Sequence, residues 1–168
     1  KKTKNILTKF KKIKKIKILY AKKNMGAGQC RNMAIKKSNS YYLAFIDSDD
    51  QWKKNKLKMQ INFMQCNNYD FTYTYYKTFT NDKKIIKTIK TPKKFDFKSF
   101  VKNTSIATSS MIVERNLARK TKFYSTKICE DYYYKCQLLK KTQYAYCFPH
   151  YLMQYQIRND SLQSNRFR

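Results

Sequence analysis

YYLAFIDSDDQWKKNKLKMQINFM, residues Tyr41–Met64, decides the fold. Its first six residues, Tyr41–Ile46, are an unbroken apolar run, which predicts a strand covered on both faces. The run stops abruptly in Asp47, Ser48, Asp49 and Asp50. Over residues 53–66 the period changes: Leu57, Ile61 and Met64 fall at spacings of four and three, the mark of a helix. Strand, acidic turn and helix in succession form the repeating unit of an α/β sheet. In such sheets ligands bind beyond the carboxyl ends of the strands.

Upstream, Ile6, Phe10 and Ile13 make a helical stripe among lysines, of the kind that packs on a sheet. Ile16, Ile18 and Tyr20 then alternate as in a strand. A loop with Gly26 and Gly28 leads into a short helix over residues 29–38. Downstream, the aromatic, Thr-rich segment Tyr69–Phe79 predicts a strand, Asn81-Asp82 a turn and Ile85–Ile89 a second strand. A short helix is expected over residues 95–103, a strand over Ile106–Glu114 and a helix from Glu130 to Lys141. Two late strands, Tyr144–Phe148 and Tyr151–Ile157, precede a polar, extended tail. The expected class is α/β, with a mostly parallel central sheet, flanking helices and a more mixed second half.

The length of 168 residues suits one domain, and 42% hydrophobic with 16% aromatic residues excludes a wholly disordered chain. No apolar run approaches the roughly 18 residues that span a bilayer. The sequence opens on Lys1 with no signal-peptide pattern. A net charge of +28 attracts polyanions: nucleic acid, anionic lipid or phosphorylated substrates. The chain is also rich in Asn, Ile, Tyr and Lys, whose codons are A/T-rich, so base composition explains the lysines equally well. The five cysteines are odd in number and lack a C-x-x-C pair, and the single His150 lies near only Cys147. That pattern reads as reduced thiols in a cytoplasmic protein rather than a zinc site.

Acid is scarce, so its placement is informative. Asp47 and Asp49, two apart, project to one side if the chain stays extended. Paired carboxylates suit Mg2+ or Mn2+, which are held by one or two carboxylates plus phosphate oxygens. Capping of the next helix is the competing reading, and it explains one aspartate better than three. Glu130-Asp131 stands at a helix start, where it serves either as a cap or as a general base for a hydroxyl.

In order, these pieces resemble the family 2 glycosyltransferases of the GT-A fold. The resemblance is carried by NMGAGQCRNMAIKKS (Asn24–Ser38), the Tyr41–Met64 stretch, TSSMIVER (Thr108–Arg115), CEDYYYKCQLL (Cys129–Leu139) and YQIRNDSLQSN (Tyr155–Asn165). It implies that Asp47, Asp49 and Asp50 fall on the family's D-x-D region, with Asp47 and Asp49 as metal ligands beside the donor diphosphate. It places Asp131 on the catalytic base, and Arg31 and Asn32 on a segment lining the donor site. It further implies inverting transfer from a nucleotide-sugar donor to a glycan or lipid-linked acceptor hydroxyl. Mn2+ or Mg2+ would assist, in surface glycan or lipopolysaccharide synthesis, at the inner face of the membrane.

The family pattern normally opens with a strand-helix-strand unit that binds the nucleotide base, and here the chain enters at the helix that follows it. Residues 1–66 are thus expected to be the remainder of the donor half and 67–168 the acceptor half. This span alone is expected to bind donor poorly and turn over little. The Q-x-x-R-W motif of processive synthases is absent, which points to a non-processive transferase. Two other readings follow from the charge: a basic nucleic-acid-binding module, disfavoured because the aromatics fall in expected core strands, and peripheral contact of the N-terminal helix with an anionic membrane.

Overall fold

The computed structural model describes residues 2–80, 82, 84–126 and 129–157. In chain order these form α1 (Lys2–Phe10), α2 (Gly26–Lys37), β1 (Tyr42–Ala44), β2 (Gln51–Trp52), α3 (Lys56–Asn67), β3 (Phe71–Phe79) and β4 (Ile85–Ile89). There follow β5 (Lys94–Phe95), α4 (Phe97–Lys102), a 3-10 turn at Thr108–Ser110, β6 (Ile112–Glu114), α5 (Arg115–Arg119), α6 (Glu130–Leu139) and β7 (Ala145–Gln156). Asn81 of the expected turn and the expected polar tail from Asn159 lie outside the described residues.

One sheet runs β1-β6-β3-β7-β2, with β4 added on β3 and β5 on β7. The α/β class holds, but the sheet is mixed rather than mostly parallel. Only β3 with β7 runs parallel, and the other described pairings are antiparallel. The expectation of parallel strands leaned on Ile16–Tyr20, and that segment forms no strand; Ile16, Leu19 and Tyr20 are exposed. Alternation records a preference, whereas a strand needs a partner for its N–H and C=O groups.

The strand covered on both faces is β3, not Tyr41–Ile46. Phe71 and Tyr73 point to one side of β3, Thr72 and Thr74 to the other, and all four are fully buried. The shorter β1 lies at the sheet's end. It buries Leu43, with Phe45 just beyond, and leaves Tyr41 and Ile46 exposed. Among the described residues only β6 pairs with it, through Tyr42↔Glu114 to Ala44↔Ile112, so its outer edge is open. Beside that edge, α2 and β1 line a groove of about 470 Å3.

The two expected late strands are one strand, β7. Its register against β3 steps from Phe148 opposite Thr74 to Tyr151 opposite Tyr75, so Pro149 and His150 occupy a bulge. A bulge accommodates a residue without an N–H to give. Conversely, the expected strand Ile106–Glu114 shrinks to β6. Ser110 folds back on Ala107 O through its N–H (2.9 Å) and its hydroxyl (2.7 Å), which tightens Thr108–Ser110 into the 3-10 turn.

Helix α4 starts on a reciprocal capping box between Asp96 and Ser99. Helix α1 does not pack its stripe on the sheet: Ile6, Phe10 and Ile13 are all exposed. The main core joins the sheet to α6 through Phe71, Tyr73, Phe123, Tyr134 and Leu138, with Phe123 and Tyr134 stacked at 3.9 Å.

Candidate active site

The acidic turn leaves β1 and is fixed from behind by the 3-10 turn. Asp47 N–H donates to Ser109 Oγ (2.9 Å), and Asp50 N–H closes on Asp47 O (3.1 Å). Trp52 Nε1 donates to Ser109 O (2.7 Å). One turn further, Lys56 is fully buried and gives its ammonium to Gln60 Oε1 (2.8 Å) and Ser110 O (3.4 Å), 4.5 Å from the Trp52 ring centre. No carboxylate is among these partners, and burial pulls its pKa down to about 7.

The three aspartates do not act alike. Asp47 is partly open and lines a cleft of about 640 Å3. Asp49 is half-buried in the turn. Asp50 is buried under it, with Oδ1 accepting from Gln156 N–H (3.0 Å) and Oδ2 without a partner. Burial pushes its carboxyl up to about 6, against the lowering influence of Ser109 and the Gln156 N–H and with smaller help from Asp47 and Asp49.

Arg31, on the inner side of α2, joins two distant segments. Its guanidinium reaches Asp47 Oδ1 at 2.5 Å and Glu130 Oε1 at 3.1 Å, above the Phe123 ring. Burial alone would lower its pKa, but the two carboxylates outweigh that and raise it. The helices approach closely here: a Cβ on Gly28 would meet Glu130 Cγ at 2.9 Å and Phe123 Cβ at 3.1 Å. Asn32 sits next to Arg31 but faces elsewhere, exchanging 2.8 Å bonds with the Phe123 carbonyl and N–H.

Asp131, in the first turn of α6, lines the same cleft as Asp47 and Arg31. Its Oδ2 accepts from Lys135 Nζ (2.8 Å) and Thr108 Oγ1 (3.1 Å). Burial works to raise its pKa, yet the Lys135 ammonium and the hydrogen bonds prevail and lower it. Cys129, just before α6, takes φ 56, a left-handed conformation, and lines the same cleft. Tyr155 of β7 closes the wall. Burial, then Asp50, Asp47, Asp49 and Asp131, push its phenol up to about 12.

Sequence reasoning named Asp47, Arg31 and Asp131, which line one cleft in the structure. It missed Thr108, Glu130 as the Arg31 partner, Lys135 and Tyr155. Of these, only Lys135 carried a readable signal, four residues after Asp131 on a helix. Among the described residues no three or more His, Cys, Asp or Glu side chains converge as a complete metal cage. Of the two aspartates expected to hold metal, Asp47 lines the cleft and Asp49 is not among its lining residues; a carboxylate there suits Mg2+ or Mn2+ only where substrate phosphates and water complete the shell.

The pattern of glycosyl transferase family 2 matches residues 1–151. TuaG of Bacillus subtilis (strain 168), which carries the name of a teichuronic acid biosynthesis glycosyltransferase, is 32% identical over 99% of this chain and 67% of its own length. WfgD of Escherichia coli is 32% identical over 92% of this chain and 60% of its own. Its name is UDP-Glc:alpha-D-GlcNAc-diphosphoundecaprenol beta-1,3-glucosyltransferase. The crystal structure of S. aureus TarS 1-349 in complex with UDP-GlcNAc superposes with a TM-score of 0.79 at 18% identity, over 98% of this chain and 48% of that one. This chain therefore spans between about half and two thirds of the length of these three proteins. With the acidic turn, the Arg31 bridge and Asp131 facing one cleft on that shared GT-A scaffold, the chain belongs to glycosyl transferase family 2.

Proposed function

We propose that this cleft transfers a sugar, with inversion, from a nucleoside-diphosphate donor to an acceptor hydroxyl. The observation that carries the reading is that Asp47 and Asp131, far apart in sequence, line one cavity. Arg31 ties the acidic turn to the start of α6. Asp131 takes the proton from the acceptor hydroxyl while that oxygen bonds the anomeric carbon. The bond from that carbon to the diphosphate breaks, and its electron pair leaves with the nucleoside diphosphate. Arg31 stands where a guanidinium can meet the donor's phosphates once Asp47 is shared. Asp47 and Asp49 would hold Mn2+ or Mg2+, which when bound neutralises charge on the leaving diphosphate. Asp50 supports the turn and lies close to the donor side; Asn32 holds the wall through Phe123 rather than touching donor.

The names of TuaG and WfgD suggest a surface-glycan pathway with a uridine-diphosphate sugar and an undecaprenol-linked acceptor. Lipopolysaccharide is one product of that class. Such work belongs in the cytoplasm at the inner membrane face, where the lysines and exposed apolar residues of α1 would meet anionic lipid. No described helix is long and apolar enough to cross a membrane. The nucleic-acid reading loses ground because aromatics it would use for stacking, such as Phe71, Tyr73 and Tyr134, are fully buried. The open edge of β1 supports the view that these 168 residues alone transfer little sugar.

The test measures Mn2+-dependent nucleotide-sugar binding and transfer by this chain and by any in-frame extension that the DNA upstream of the Lys1 codon encodes. In whichever chain transfers sugar, Asp131→Asn should lower kcat by at least about 100-fold with donor binding kept. Asp47→Ala should weaken metal-dependent donor binding. Full turnover in Asp131→Asn would refute the base assignment, and robust transfer by the 168 residues would refute their predicted weakness.

A further inference from the structure

Lys135 lies on the inner face of α6 between Tyr134 and Cys136 and is only 3% exposed. A buried ammonium persists only when it is paired and hydrogen-bonded. Here Nζ has two oxygens at 2.8 Å, Ile106 O and Asp131 Oδ2, and Thr108 Oγ1 approaches the same Oδ2 at 3.1 Å. Neither Lys135 nor Thr108 holds Oδ1, and the backbone N–H of Tyr132 gives the carboxylate a further hydrogen bond.

The surroundings explain why such a clamp is needed. The cleft also presents Glu130 from α6, Asp47 from the acidic turn, Tyr76 from β3, Tyr155 from β7 and the Cys129 thiol. Arg31 from α2 answers Asp47 and Glu130. Without a cation of its own, Asp131 would be a buried carboxyl facing other carboxylates, and it would hold its proton to higher pH.

We propose that Lys135, with Thr108, is a positioning residue for Asp131: together they occupy Oδ2 and leave Oδ1 as the oxygen that accepts the acceptor's proton. The inference rests on the base role given to Asp131 above and adds the device that keeps that base ionised and oriented. Ionisation has a counterweight, because a carboxylate so stabilised is also a weaker base. The clamp therefore widens the acid side of the working range more than it raises the maximal rate.

Carboxyl-carbon NMR titration of the 168-residue chain reads the clamp directly, with Asp131→Asn assigning the resonance. Asp131 should titrate below an ordinary aspartate. Lys135→Met should move its midpoint up by about 1 to 3 pH units, Lys135→Arg less, and Thr108→Val upward by a smaller step. In the chain that transfers sugar, Lys135→Met should cut kcat about 10-fold and shift the acid limb of its pH profile upward. Donor KM should stay within about twofold, since the donor side is not touched. An unmoved Asp131 midpoint in Lys135→Met, or in Thr108→Val where the lysine variant does not fold, overturns the inference, as does an unchanged acid limb. Failure of the base reading shows up separately, as undiminished transfer by Asp131→Asn.

Discussion

Asp50 shows how differently neighbouring side chains of one motif are used. Asp47 faces the cleft, while Asp50, three residues on, is 8% exposed with one oxygen unpartnered. Its folded pKa of about 6 lies above its value of 3.8 in an open chain. Its contribution to stability is thus fully present below about pH 4 and is lost as pH rises through 6. Asp50→Asn should therefore leave stability nearly unchanged at pH 4 and raise it by about 1 to 3 kcal/mol at pH 7. Urea denaturation at the two pH values checks this, and equal midpoint changes at both would contradict it. The placement of Asp47 and Asp131 on one cleft was legible because scarce acids directly after a strand and at a helix start stand out, although capping alone accounts for such positions as well. The split between Asp47 and Asp50 was not legible. It depends on Gln156 arriving from β7, more than a hundred positions away.

At the scale of elements, α6 carries Asp131, the proposed base, and begins under strain. Cys129 adopts φ 56 just before Glu130, a region that disfavours any residue with a Cβ. Cys129→Gly should stabilise the fold by about 0.5–1 kcal/mol, measured as a rise in Tm, without altering the register of Asp131. A lower Tm would mean that the thiol contributes more than the backbone loses. Helices α2, α3 and α6 were legible, since their apolar or capping signals are local. The same local logic over-read Ile16–Tyr20 as a strand and split β7 at Pro149. It also missed the 3-10 turn, whose bonds to Asp47 and to Asp131 link these two carboxylate-bearing segments. Strand existence is a property of pairs, and pairing distance is invisible along a single run of residues.

For the whole molecule, the relevant quantity is the balance between repulsion and an uncovered sheet margin. Copies carrying +28 repel one another at low ionic strength, where charge reaches far. The outer side of β1 meanwhile pairs with no strand among the described residues and is flanked by Tyr41 and Ile46 in solvent. Sodium chloride removes the first effect and spares the second. Purified material should stay monodisperse in dilute buffer and scatter light increasingly as the Debye length shrinks from about 30 Å towards 8 Å. Replacing Ala44 by proline should blunt that turbidity by denying incoming chains a place to zip.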